Sequence, residues 1–210
     1  MTYIENIYVC LAAPLLVAAL CLRSRRRTSL LFLLAGMTAC LLSSYISTFL
    51  AAAHGVDALT ASLEIAPAVE EGMKLLPTLF YLLVFEPDRK DAANEALMTA
   101  VGFATLENVC YLTGSGAART LYLLVRGFGT GAMHVVCAVM VAAGLKYFWD
   151  RLSLRLAGTL GLLGLAVTYH AIYNLLVSQT GAAMLLGCLL PVLTAALAAA
   201  LGGVRHFRNE

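Results

Sequence analysis

The sequence predicts an all-α, polytopic membrane helix bundle of about seven transmembrane helices, with the N-terminus outside and the C-terminus inside. Three observations predict it. The chain is 61% hydrophobic and only 12% charged, against about 25% charged residues in soluble domains. Seven apolar segments approach the length of about 20 residues that a spanning helix needs. The basic residues gather at alternate ends of those segments, as the positive-inside rule requires.

Taken in order, the segments are about 3–22, 30–53, 60–85, 96–113, 120–146, 156–177 and 182–203. The first has no basic region before its apolar run, so it reads as a spanning helix and not as a cleavable signal. The third and fourth carry charges, and hydropathy alone underrates them. With the N-terminus outside, the inner loops and tail hold Arg23, Arg25, Arg26, Arg27, Arg89, Lys90, Lys146, Arg151, Arg155, Arg205 and Arg208. Those are 11 of the 14 Lys and Arg residues. Arg119 alone falls in an outer loop, while Lys74 and Arg126 lie inside helices. The most polar connection runs from Phe85 to Glu95, and Gly114, Ser115 and Gly116 mark a tight outer turn. No repeat or soluble domain interrupts the chain. Residues 1–210 therefore read as one integral membrane domain, with a core at about 60–177. The helices at 3–53 and 182–203 lie at its periphery.

The six cysteines all sit in apolar stretches without a CxxC pair, which reads as small buried hydrophobes and not as a disulfide framework. A net charge of +2 gives no reason to expect nucleic acid. The expected surroundings are the lipid bilayer of a cell membrane, the bacterial cytoplasmic membrane foremost.

Function should lie where charge is most costly. A charge at the bilayer centre costs from about 2.5 kcal/mol upward, so such residues face the bundle interior and mark a site. The third helix carries Glu70, Glu71 and Lys74 between Pro67 and Pro77. Glu70 and Lys74 are four apart and share a face. Lys74 neutralises one carboxylate and leaves the other. The fourth carries Phe103, Glu107 and Asn108. Glu107 has no cation on its own helix, and Arg126 of the fifth is a candidate partner. The fifth carries Arg126 and His134 about two turns apart, with Gly127, Gly129 and Gly131 between them. The sixth carries His170 and Asn174, an i, i+4 pair. Counted inward at about 1.5 Å per residue, Glu107 and His170 lie near 10 Å from the outer boundary, and Glu70 and Glu71 near 15 Å. Four helices thus bring polar groups to similar depth.

Glu70-Glu71-x-x-Lys74, Phe103-x-x-x-Glu107-Asn108, Arg126 with His134, and His170-x-x-x-Asn174 together resemble the ordered motifs of the PrsW family of intramembrane proteases. That family lies within the superfamily of CAAX-processing and bacteriocin-processing membrane proteases. The resemblance runs from about 64 to 176. Lys74 stands where the wider superfamily has Arg, and Glu107 where it has His, as in the PrsW branch. The resemblance implies cleavage of a membrane-tethered protein, foremost an anti-sigma factor in stress signalling.

Hydrolysis needs an activated water, an oxyanion stabiliser and an acid for the leaving amine. Glu70 or Glu71 is the expected general base, with His170 or His134 at the oxyanion and Asn174 positioning. Lys74 holds the other glutamate ionised, and Glu107 completes the water site. Phe103, Asn108 and Arg126 support them. The competing chemistry is zinc, held by some of Glu70, Glu71, Glu107, His134 and His170. No HExxH occurs, so the spacing leaves a cofactor-free and a zinc mechanism both open. Two other classes share the composition: a non-catalytic scaffold that binds a partner helix, and a small-solute or proton transporter. No inverted repeat supports the transporter.

Overall fold

The computed structural model describes residues 3–22, 25–115, 120–149 and 152–207. Helices α1 (Ile4–Cys21) and α2 (Arg25–His54) open the chain. Short α3 (Ala58–Thr60) runs through a π turn at Ala61–Ile65 into α4 (Ala66–Val84). Helices α5 (Arg89–Ser115), α6 (Thr120–Phe148), α7 (Leu152–Val177) and α8 (Ala182–Phe207) follow. With α3 to α4 taken as one rod, seven long helices match the seven expected segments, and no strand occurs among the described residues.

By length and composition, five stretches among the described residues suffice to cross a membrane: Ile4–Cys21, Arg25–His54, Arg89–Thr113, Leu124–Leu145 and Ser153–Val177. The α3–α4 rod is not among them, because Glu64, Glu70, Glu71 and Lys74 interrupt its apolar run. Among the described residues helix α8 adds the apolar stretch Ala182–Leu197. Arg23, Arg119, Arg151 and Arg208, which entered the topology argument, lie outside the described residues, as does Gly116 of the expected outer turn. Helix α5 runs on through Ser115.

Helix α5 starts seven residues before the expected 96, so the polar 85–95 connection shrinks to a few residues. The reason is pairing across to α2, which itself begins at Arg25. Asp91 accepts a salt bridge from Arg25 at 2.8 Å, and Ser29 donates to Glu95 at 2.9 Å. These bonds let polar side chains ride inside a helix that apolar periodicity alone would begin later. Where α2 gives way to α3, Asp57 caps the new helix by accepting from the Thr60 N–H at 2.7 Å. That bond holds the Asp57 carboxyl below its ordinary pKa.

Two glycines set the closest crossing. A Cβ on Gly36 of α2 would lie 1.9 Å from the Thr99 carbonyl oxygen, and one on Gly102 of α5 would lie 1.9 Å from that of Leu33. Only residues without a Cβ let two helix backbones approach so closely. Helices α4, α6 and α7 then pack around an apolar cluster that includes Leu75, Met133, Cys137, Val141 and Tyr173. A second cluster joins α1, α2 and α5 through Met37, Cys40, Phe103 and Leu106. The buried ionisable residues Glu71, Lys74, His134 and His170 lie among these apolar layers. The periphery exposes Phe49, Phe80, Leu156 and Leu186, as a lipid-facing surface does. Cys40, Cys137 and Cys188 are buried, but Cys10 and Cys21 of α1 are exposed, so those two are not core residues of this chain.

Candidate active site

The local folding around Glu70 begins one turn earlier. In the π turn the Ala66 N–H bonds back to the Ala61 carbonyl. The next residue in that register, Pro67, has no N–H to offer Ser62. The Asn174 side-chain amide donates to the Ser62 carbonyl instead, at 2.9 Å. Asn174 therefore clips α7 to the turn that launches Glu70 and Glu71. π turns recur at functional sites because they re-phase the helix that follows.

Lys74 reaches two acceptors. Its Nζ donates to Glu71 Oε1 at 2.6 Å and to His134 Nδ1 at 2.7 Å. Lys74 thus pairs with Glu71, three residues back, and not with Glu70 on the expected i, i+4 face. Glu71 Oε1 also accepts from His170 Nδ1 at 2.8 Å. Glu71 and Lys74 keep only 2% and 6% of their side-chain exposure, so each charge depends on the other.

Both imidazoles turn Nδ1 toward this pair and Nε2 away from it. His170 Nε2 lies 3.7 Å from Glu70 Oε2, and His134 Nε2 lies 2.6 Å from Glu107 Oε2. The rings stand edge to face with centroids 5.2 Å apart. Phe103 closes the far side of His134 at 4.9 Å between centroids, and its ring faces Lys74 Nζ at 5.1 Å. Hydrogen bonding then sets the tautomers. The Lys74 ammonium donates to His134 Nδ1, so the His134 proton sits on Nε2 and points at Glu107. His170 donates Nδ1–H to Glu71, so its Nε2 presents a lone pair toward Glu70.

The structure therefore brings Glu70, Glu71, Lys74, Phe103, Glu107, His134 and His170 into one centre. Arg126 stands apart. Glu107 pairs with His134, not with Arg126 as the sequence suggested; the Arg126 guanidinium lies 3.4 Å from the Tyr111 ring centroid. Asn108 donates to the Gly127 carbonyl at 3.4 Å and ties α5 to α6. The centre is open on one side: Glu107 keeps 31% of its side-chain exposure while His134 beside it keeps none.

Two elements were not read from the sequence. Thr130, one turn before His134, bonds the Tyr173 hydroxyl at 2.7 Å. Glu95 is buried with one oxygen unpaired. The spacing Thr130-x-x-x-His134 on an apolar helix was the available signal for the first. Nothing marked the second.

Zinc suits the donor set. Glu70, His134 and His170 each offer a ligand atom within 4.8 Å of the others, and two imidazoles with one carboxylate are a common catalytic zinc triad. Glu70 Oε2 is buried without a hydrogen-bond partner. His170 has its other nitrogen on a carboxylate, as metal-binding histidines usually do. A metal at Nε2 of His134 requires the proton there to leave, and Glu107 is placed to take it. Glu71, whose Oε1 is held by Lys74 and His170, is not in this triad.

A family model described as PrsW family intramembrane metalloprotease matches residues 24–201. Neither a curated protein nor a solved structure matches the chain.

Proposed function

Because this chain belongs to the PrsW family of intramembrane proteases, a peptidase family of multi-pass membrane proteins, we propose that it hydrolyses a peptide bond of a membrane-tethered anti-sigma factor. Its loss releases a sigma factor for stress transcription. We place the N-terminus outside and the site in the outer half of the bilayer.

One observation carries the mechanism: of the two adjacent glutamates, Glu71 is held at Oε1 by both Lys74 and His170, whereas Glu70 Oε2 is buried without a hydrogen-bond partner. Glu70 is the general base. It takes a proton from water, the water oxygen attacks the scissile carbonyl carbon, and the protonated Glu70 returns that proton to the leaving nitrogen. His134 Nε2–H supplies the donor for the oxyanion, with Glu107 orienting water beside it. Glu71 and Lys74 touch no substrate. They hold both rings in the tautomers that this division needs. Asn174 fixes the turn from which Glu70 projects. The alternative division would place zinc on Glu70, His134 and His170, where it would supply a Lewis acid and lower the pKa of a bound water; it replaces the Glu70 base and the His134 donor, and leaves Glu107 to take the proton.

The test is cleavage of a membrane-tethered reporter by Glu70→Ala, Glu71→Ala and His170→Ala variants that still accumulate in the membrane. All three lose cleavage, with Glu71→Ala also losing thermal stability. Full activity in all three contradicts the reading.

A further inference from the structure

Arg126 has no part in the mechanism above, yet it is a cation within an apolar helix. Its Nε is buried without a hydrogen-bond partner, and among the described residues it forms no ion pair. It borders a cavity of about 190 Å³ between α5 and α6, lined by Asn108, Val109, Tyr111, Leu112, Arg126 and Gly127. The Tyr111 ring under the guanidinium fixes the plane of the fork. A planar, oriented guanidinium with an idle donor is built for a carboxylate or phosphate.

The cavity and the centre are bordered by the same two helices, α5 and α6. Gly127, Gly131 and His134 fall on one face of α6, spaced by four and three residues. A Cβ on Gly131 would meet nothing within 4 Å, and one on Gly127 would meet only the Asn108 amide at 4.0 Å. Across from this strip, Asn108 is the next residue after Glu107, whose carboxylate is the exposed one of the centre. Arg126 precedes His134 by eight residues, about 12 Å along the helix. An extended peptide covers that in three to four residues at about 3.3–3.6 Å each.

We propose that this cavity is a substrate subsite for a carboxylate. It takes an Asp or Glu side chain three or four residues from the scissile bond, gripped by Arg126 and Asn108. The proposal rests on the protease reading and deepens it by naming the substrate's chemistry. A peptide acid accounts for the open glycine strip that runs along α6 from Arg126 toward His134, which a lipid phosphate does not need. The cavity is also below the roughly 300 Å³ at which sites for whole small molecules begin.

The test reads binding without cleavage. The purified full chain in phosphatidylcholine nanodiscs is titrated with a short apolar peptide bearing one Asp, and with its Asn counterpart. The wild type binds the Asp peptide at least about tenfold more tightly, as a charge-assisted bond predicts. The ratio falls to about one in Arg126→Gln. Arg126→Lys, which keeps the charge without the fork, retains part of it and serves alone if the glutamine variant does not accumulate. In a cleavable reporter, an Asp moved residue by residue gives its largest rate gain three or four positions from the cut. Equal binding of both peptides by the wild type, or a preference that survives both substitutions, overturns the proposal. So does an Arg126-dependent preference for phosphatidylglycerol with no peptide preference. Asp selectivity without any cleavage would instead count against the protease mechanism and leave the subsite standing.

Discussion

Replacing Lys74 by Met tests whether the centre depends on one buried cation. Lys74 Nζ makes two short bonds, 2.6 Å to Glu71 and 2.7 Å to His134, and both carboxylate and ammonium are nearly sealed from solvent. The methionine side chain matches the stem but leaves Glu71 charged, with His170 as its remaining donor. Removing one partner of a buried pair costs about 3–5 kcal/mol, because the other charge stays buried. For a chain of this length each kcal/mol moves the melting point by about 2–4 °C, so the loss should be roughly 6–20 °C. Thermal unfolding in detergent with a thiol-reactive fluorogenic dye reads this in a background where the exposed Cys10 and Cys21 are replaced by Ser, since Cys40, Cys137 and Cys188 are buried. The double variant Glu71→Gln with Lys74→Met removes both charges and should recover most of the loss. A Lys74→Met protein that melts within about 1 °C of wild type, on that same scale, refutes the reasoning. So does a double variant no more stable than the single.

Two further outcomes follow from the packing and the donor set. Gly36→Ala and Gly102→Ala each force a Cβ into a backbone carbonyl and should lower the melting point sharply. Gly131→Ala meets open space and should raise stability by up to about 1 kcal/mol through helix propensity; equal effects at all three positions would refute the α2–α5 crossing. Elemental analysis of the purified protein decides between the two divisions: no bound metal selects the Glu70 base, and about one zinc per chain, as one His₂Glu triad holds, selects the metal. His170→Ala should lose it, while Asn174→Ala should keep it; retention of zinc by His170→Ala would exclude the triad.

The outline of this bundle was legible because a membrane leaves few choices. Backbone polar groups must be satisfied within each span, so apolar length and basic flanks were enough to count seven rods. The polar centre was legible for a related reason: Glu70, Glu71, Lys74, Glu107, His134 and His170 are too costly to face lipid. What stayed hidden was pairing. Helical spacing allows Lys74 to meet either Glu70 at i−4 or Glu71 at i−3. The choice fell to Glu71 because His170 approaches the same oxygen from α7, which no local pattern reveals. Arg126 was a reasonable partner for Glu107 by charge, but His134 sits closer. The start of α5 was misplaced because Arg25 and Ser29, more than sixty residues away, hold Asp91 and one oxygen of Glu95. The π turn was invisible, since its cause is the conjunction of Pro67 with a distant Asn174.

Whether Glu70 and His170 act on a single reacting water is best measured by a double-mutant cycle on cleavage rate. Groups that work as one unit are strongly non-additive, and losing either costs nearly as much as losing both. The rates of Glu70→Gln, His170→Ala and their combination on one tethered reporter should therefore agree within a few-fold, all far below wild type. Two partial losses that multiply in the double variant would place these residues in separate roles and contradict the single centre.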